Sequence, residues 1–249
     1  MTIIVSTTAG NAPSTFLGLV QRLSIEAGCP GSTGSGPSTT IGQVGEFGRL
    51  VNWINDAWLD IQAMHTDWGW LRTNASLVTV AGQASYPMAQ ISNALGVPGL
   101  TDFGKWDTST GRNYVTASGT ASEVYMDEIS YDEWRDMYAY GALRQTQTRS
   151  IQFAIAPADK SVVLGPYPAA GYTFTMDYFR APSYMSLDTD VPLIPAQFRM
   201  AIVYRALQFY GTWEKDEGVI AQAKAECDRK LRQMNADYLP QMTTGLPIA

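Results

Sequence analysis

Positive charge is scarce in this chain. Seventeen Lys and Arg face 23 Asp and Glu, a net charge of −6. Tight non-specific binding to DNA needs a basic face, so that class is disfavoured. A wall past which DNA slides without sticking stays open. Charged residues of both signs make up only 16%, against roughly 25% in ordinary globular domains. Neutral polar groups or partners must cover the rest of the surface. Histidine and cysteine are nearly missing: His65, Cys29 and Cys227 are all there are. One histidine and no C-x-x-C cannot complete an ordinary zinc site, and both cysteines read as reduced. No apolar run reaches the ~18 residues of a membrane span. The opening MTIIVSTTAGNAPS has neither the basic region nor the apolar stretch of a secretory leader. The expectation is a protein made and used in the cytoplasm, with no membrane partner.

Aromatic residues are present at 11%. Leu50 to Leu71 holds four of the seven tryptophans and the single histidine. Leu50, Ile54, Trp58 or Ala57, Ile61, Met64 and Trp68 recur at three- and four-residue steps, one stripe of a helix of about 26 residues. This spacing favours a core helix over an active site. Trp53 falls off the stripe and is a candidate for contact with another helix or subunit. An earlier helix starts after Ser14, carries Phe16, Val20, Leu23 and Ala27, and stops at Gly28 and Pro30. GSTGSGPSTT, residues 31–40, reads as a flexible loop.

Strand-like runs follow at Ser76–Val80, Ala84–Tyr86, Ser150–Ala156, Ser161–Leu164 and Tyr172–Arg180. Residues 87–122 read as irregular, rich in Gly, Pro, Ser and Thr. Ser130-Tyr131-Asp132-Glu133 fits a capping box before a short helix. Helix returns at Pro195 with Phe198, Ile202, Ala206 and Phe209, and is expected to end at Gly211. The last helix starts among Glu214, Asp216 and Glu217 and ends among Arg229, Lys230 and Arg232, as the helix dipole favours. Its seam is Ile220, Ala223, Cys227, Leu231, Met234 and Tyr238. Glu226–Lys230 and Asp228–Arg232 are the expected i,i+4 pairs. The predicted class is α+β. A helical bundle of residues 1–70 and 190–249 carries an inserted antiparallel β-rich domain of residues 71–189.

Chemistry is hard to find. No Walker A loop, dinucleotide fingerprint or nucleophile elbow is present. His65 on a Trp-rich helix reads as structural. Asp127-Glu128 and Asp132-Glu133 suit a strand exit and a helix start better than a glycosidase pair. Asp188-Thr189-Asp190 reads as a turn rather than a calcium site. Tyr167, Tyr172, Tyr178, Phe179 and Tyr184 invite a sugar-binding reading, yet strands favour aromatic residues anyway. No cofactor and no metal is expected.

The order of FLGLVQRLSIEAG, GRLVNWINDAWLDIQ, WGWLRTNASLVTVAGQASYPM, IPAQFRMAIVYRALQFYG and AKAECDRKLRQMNADYLP resembles the head–tail adaptor (connector) proteins of tailed phages. The likeness spans residue 14 to about 240 and is closest to the adaptors of short-tailed phages. It implies a non-enzymatic virion protein, assembled in the host cytoplasm as a homo-oligomeric ring, usually dodecameric, between the portal protein and a tail or nozzle protein. Double-stranded DNA would pass through the lumen without specific binding. By the same analogy, Leu239, Met242, Leu246 and Ile248 would contact the portal, and Trp53 and Trp70 a neighbouring subunit. A tail-tube or minor tail protein is the alternative, and would predict a β-dominated chain. A glycan-binding or glycan-hydrolysing module is the more distant one.

Overall fold

The structure is a computed structural model and describes residues 13–29, 31, 34–141, 143–144 and 146–239. The elements in chain order are α1 (Phe16–Glu26), α2 (Gly45–Ala63), β1 (Arg72–Val78), β2 (Ser85–Tyr86), β3 (Ser92–Asn93), β4 (Phe103–Val115), β5 (Val124–Tyr125), β6 (Asp127–Glu128), α3 (Tyr131–Trp134), β7 (Gln147–Thr148), β8 (Gln152–Ile155), β9 (Val162–Gly165), β10 (Tyr167–Pro168), β11 (Tyr172–Arg180), α4 (Met200–Glu214) and α5 (Glu217–Tyr238). The class is α+β. Two compact units divide the chain: Met1–Trp70 with Pro182–Ala249, and Leu71–Ala181.

In the first unit, α1 is capped by Thr15 rather than Ser14: the Thr15 hydroxyl accepts from the Gly18 amide at 3.2 Å. Its first-turn amides on Phe16 and Leu17 donate to the carbonyls of Asp190 and Asp188, at 2.7 and 3.2 Å. These amides have no partner inside the helix, so the segment before α4 supplies one. Phe16, Leu19, Val20 and Leu23 are buried. The helix ends at Glu26, and Gly28 follows at φ 74°, the left-handed turn that glycine accepts most readily.

The second helix is shorter than its periodicity predicts. It has 19 residues, about 28 Å at 1.5 Å per residue. It stops at Ala63, and Met64 is 42% exposed rather than part of the stripe. Leu50, Ile54, Ala57, Trp58 and Ile61 are buried as expected. Trp68 is also fully buried, but it arrives by a turn and a short 3-10 segment follows at Gly69–Leu71. Its indole N–H reaches back to the Ile61 carbonyl at 3.0 Å. A turn that returns a tryptophan to the same core mimics the helical repeat.

Helix α4 packs against α1, α2 and α5. Its buried residues are small or branched: Ala201, Ile202, Val203, Ala206 and Leu207. Gly211 does not end it. The helix continues to Glu214, and Lys215 at φ 59° makes the left-handed cap. Gly211 instead admits α5: a Cβ there would lie 2.8 Å from Ile220 Cγ1. Arg205 donates through Nε and Nη2 to Asp60 Oδ2, at 3.1 and 2.9 Å, tying α4 to α2. The carboxylate of Asp216 caps α5 by accepting from the Gly218 and Val219 amides. Ala223, Cys227 and Met234 are buried along its seam. The charge pairs differ from expectation: Lys224 meets Asp228 and Arg229 meets Glu226, while Lys230 donates to the Gln197 carbonyl.

In the second unit, a five-stranded sheet runs in the order β3-β1-β11-β4-β5 with antiparallel pairing throughout. A four-stranded sheet runs β2-β9-β8-β6, and its β6–β8 pair is parallel. Strands β7 and β10 form a separate short parallel pair. The 13-residue β4 lies inside the stretch expected to be irregular. Only Trp106, Gly111 and Asn113 of it are buried, and its pairing with β11 slips between Thr175 and Asp177. Such a bulged, mostly polar strand has no clean two-residue alternation to read. Its glycine is a packing residue, since a Cβ on Gly111 would fall 2.6 Å from the Phe153 ring. The core joins Leu77, Trp106, Phe153, Phe174, Met176 and Tyr178. A smaller cluster holds Trp134, Tyr138, Ala154 and Val163. Ser130 caps α3 as the capping box predicts, its hydroxyl accepting from the Glu133 amide at 3.2 Å.

Candidate interaction surfaces

The residues with potential chemistry are taken up by structure. His65 stands edge-on to Trp68, 4.8 Å between rings. Asp127 and Glu128 are neighbours on β6 and both exposed, so their side chains leave opposite faces of the strand and cannot work as a pair. Asp132 and Glu133 fill the first turn of α3, where acids are stabilised by the helix dipole. Asp188 accepts from the Thr40 amide at 2.6 Å and the Thr40 hydroxyl at 2.5 Å. Asp190 accepts from the amides of Ser186 and Leu187 at 2.6 and 2.8 Å. These hydrogen bonds hold both carboxyls below their ordinary value; Asp190 closes its own turn, whereas Asp188 ties its segment to the loop at Thr40. No group of metal-ligating side chains occurs among the described residues. No helix among them is long and apolar enough to cross a membrane.

Cys29 and Cys227 are free thiols. Burial pushes each up to about 11, with Glu46 adding to the effect at Cys29. Both are therefore poor nucleophiles. Of the five aromatic residues of the sugar-binding reading, Tyr172 and Phe179 are half-buried on β11. Tyr178 is buried, and its hydroxyl donates to Asp102 at 2.8 Å. Burial, and then that carboxylate, raise it to about 12. Tyr167 packs on the Trp134 cluster, and Tyr184 belongs to the other unit.

What the helical unit does present is aromatic surface. Trp70 is half-buried and stacks between Trp58 and Trp68, with centroids 5.5 and 5.7 Å away and planes tilted 28° to each. Its indole nitrogen is buried and finds no hydrogen-bond partner among the described residues. Trp53 is half-buried and edge-on to Tyr210 at 6.1 Å. Beside it lies a shallow depression of about 560 Å³ lined by Trp53, Phe209, Thr212, Trp213 and Lys215. Phe209, expected in the core stripe, is half-buried on this surface. Trp213 is 55% exposed, and the Arg49 guanidinium stacks 4.0 Å from its ring centre. Sequence reasoning missed Trp213 and Arg49. The signal was the four-residue step from Phe209 to Trp213, hidden by taking Gly211 as the helix end.

Leu239 follows α5, half-buried, with its amide donating to the Asn235 carbonyl at 3.2 Å. Met242, Leu246 and Ile248 lie outside the described residues.

No relative among curated proteins matches the sequence. A family match does exist, to the SU10 adaptor protein, over residues 14–245. That range takes in both the helical unit with its aromatic surfaces and the β-rich unit, nearly the whole chain. Adaptors of this kind are structural parts of the phage particle at the head–tail junction. The chain belongs to the SU10 adaptor protein family.

Proposed function

We propose that this adaptor assembles as a dodecameric ring between the portal protein and the next tail or nozzle protein, where it extends the DNA channel and offers the tail its platform. The observation that carries the reading is the family match across residues 14–245. The composition supports it. A net charge of −6 with few cations suits a lumen that lets DNA pass rather than gripping it. Aromatic surface suits contact between subunits, since tryptophan and tyrosine are enriched at interface centres. Trp53 and Trp70 are the proposed neighbour-facing residues. Leu239, Met242, Leu246 and Ile248 are the proposed portal-facing ones. Assembly takes place in the host cytoplasm before the particle is complete.

The test is copy number and position in purified particles, by quantitative mass spectrometry with electron microscopy. A dodecamer at one capsid vertex is the expected result. Many copies along a tail would make the chain a tube protein. Absence from particles would end the virion reading.

A further inference from the structure

The chain passes between its two units twice, and the two crossings are held differently. The first, at Trp70–Leu71, follows the stack of Trp58, Trp70 and Trp68. The second, at Ala181–Pro182, leads into an extended strap without such an anchor. From Pro182 to Ser186 no backbone group bonds to another backbone group among the described residues. Two side chains of α2 take that place. Asn55 donates through Nδ2 to the Met185 carbonyl and accepts from the Met185 amide through Oδ1, both at 3.0 Å. Gln62 does the same at Ser183, at 3.1 and 3.2 Å. A carboxamide sets a donor beside an acceptor, as the edge of a neighbouring strand would. Asn55 and Gln62 lie about two helical turns apart, so one side of α2 carries both. Of residues 182–187 only Met185 is buried. Further along, the same strap holds other parts of the unit. The carbonyls of Asp190 and Asp188 take the first-turn amides of α1, Phe16 and Leu17, and the Asp188 carboxylate takes the Thr40 amide and hydroxyl. The Asp190 carboxylate accepts from Ser186 and Leu187, which joins the two halves of the strap into one piece.

We propose that Ser183–Asp190 is a latch. It opens as one unit, more easily than the helical core unfolds, and its opening frees the first turn of α1 and the loop at Thr40 together. Openings of this kind arise where apolar contacts are few and the backbone is exposed, as they are here. Gln62 biases the latch shut. It is 1% exposed, and lifting the strap would strip a buried amide of two of its partners, which is costly. The latch begins where the chain enters from the β-rich unit. A pull on that crossing therefore meets Ser183 and Met185 first and reaches α1 through the strap, leaving the packed faces of α2 and α4 in place. The inference concerns the single chain and does not rest on the ring reading.

Hydrogen exchange of the native full chain, followed amide by amide by NMR, tests the latch, and circular dichroism checks that each variant keeps its fold. The amides of Phe16, Leu17, Thr40, Ser183 and Met185 are expected to share one protection factor, at least about tenfold below that of Val203 and Leu207 in α4. Asn55→Leu removes two of the strap's bonds. It is expected to speed all five amides together by about tenfold or more, although the Asn55 side chain bonds only to Met185 among the described residues. Asp188→Asn acts at the other end and is expected to speed Ser183 and Met185 by the same factor as Thr40. Gln62→Met repeats the first test with an apolar side chain of similar length, should Asn55→Leu fold poorly. Protection at the five sites equal to that of α4 would mean that the strap opens only when the whole unit unfolds. Acceleration confined to Ser183 and Met185 in Asn55→Leu would mean that it opens piecemeal. Either result overturns the latch, and neither touches the ring reading, which the copies counted in particles decide.

Discussion

Trp58 is 2% exposed and stacked on Trp70 at 5.5 Å, so it is held by its own helix and by the turn that follows. Truncating a buried tryptophan removes its transfer energy and leaves a cavity. Trp58→Ala is therefore expected to lower stability by about 3–5 kcal/mol, read from urea denaturation. A loss too small to measure would mean that the stack is not core. Asp188 makes the opposite kind of contribution, polar and dependent on pH. The Thr40 hydroxyl and amide hold its carboxyl below the ordinary value of 3.8. A carboxyl depressed in the folded state stabilises above its unfolded value, and that contribution fades as pH falls through the folded one. Asp188→Asn is expected to be less stable than wild type at neutral pH, with the gap closing once pH drops well below 3.8. A gap that stayed constant on acidification would show that the charge is not what ties the loop at Thr40 to the segment at Asp188.

At the scale of elements, one glycine sets how closely α4 and α5 approach. A side chain on Gly211 meets Ile220 Cγ1 at 2.8 Å, with the Ile220 amide nitrogen and Val219 Cγ1 at 3.3 Å. Gly211→Val is expected to cost about 1–3 kcal/mol through overpacking. A gain in thermal stability would show that the helices can part without loss. The same residue explains an error of reading. Glycine ends many helices, so Gly211 looked like a terminator, and Trp213 fell outside the helix it belongs to. The helical stripes of α1 and α2 were legible because burial repeats at three and four residues along each, and that of α5 in part, since it buries Ala223, Cys227 and Met234 but leaves Ile220, Leu231 and Tyr238 half-buried. The length of α2 was not, because Trp68 rejoins the core by a turn that continues the spacing. Strand β4 was illegible for a different reason. It buries only three of its 13 residues, and it pairs with β11, whose partners lie 57 to 77 residues away in sequence. The surface partners of α5 were misread as well. Lys224–Asp228 at four residues and Glu226–Arg229 at three compete with the predicted four-residue pairs, and exposed pairs of this kind differ too little in energy to be ranked from sequence.

At the scale of the whole molecule, the family likeness was carried by the order of packed segments, and the portal-contact residues were assigned by analogy with that family. Trp53 stood out because it lies off its stripe. The apolar positions after α5 rest on the likeness alone. Leu239 is half-buried and ends the described chain, while Met242, Leu246 and Ile248 follow in a stretch with no charged residue from Leu239 to Ala249. If these three side chains bury against the portal protein, each contributes about 1.5 kcal/mol or more. Replacing all three by serine in the full-length protein then removes roughly 4.5 kcal/mol, over a thousandfold in affinity. The portal reading expects an unchanged melting temperature. Binding to the portal protein of the same particle, measured by biolayer interferometry beside a melting curve, separates the outcomes. Lost binding with an unchanged melt assigns the tail to the portal. Unchanged binding moves the portal contact to another surface, and a lowered melt makes these residues part of the fold instead.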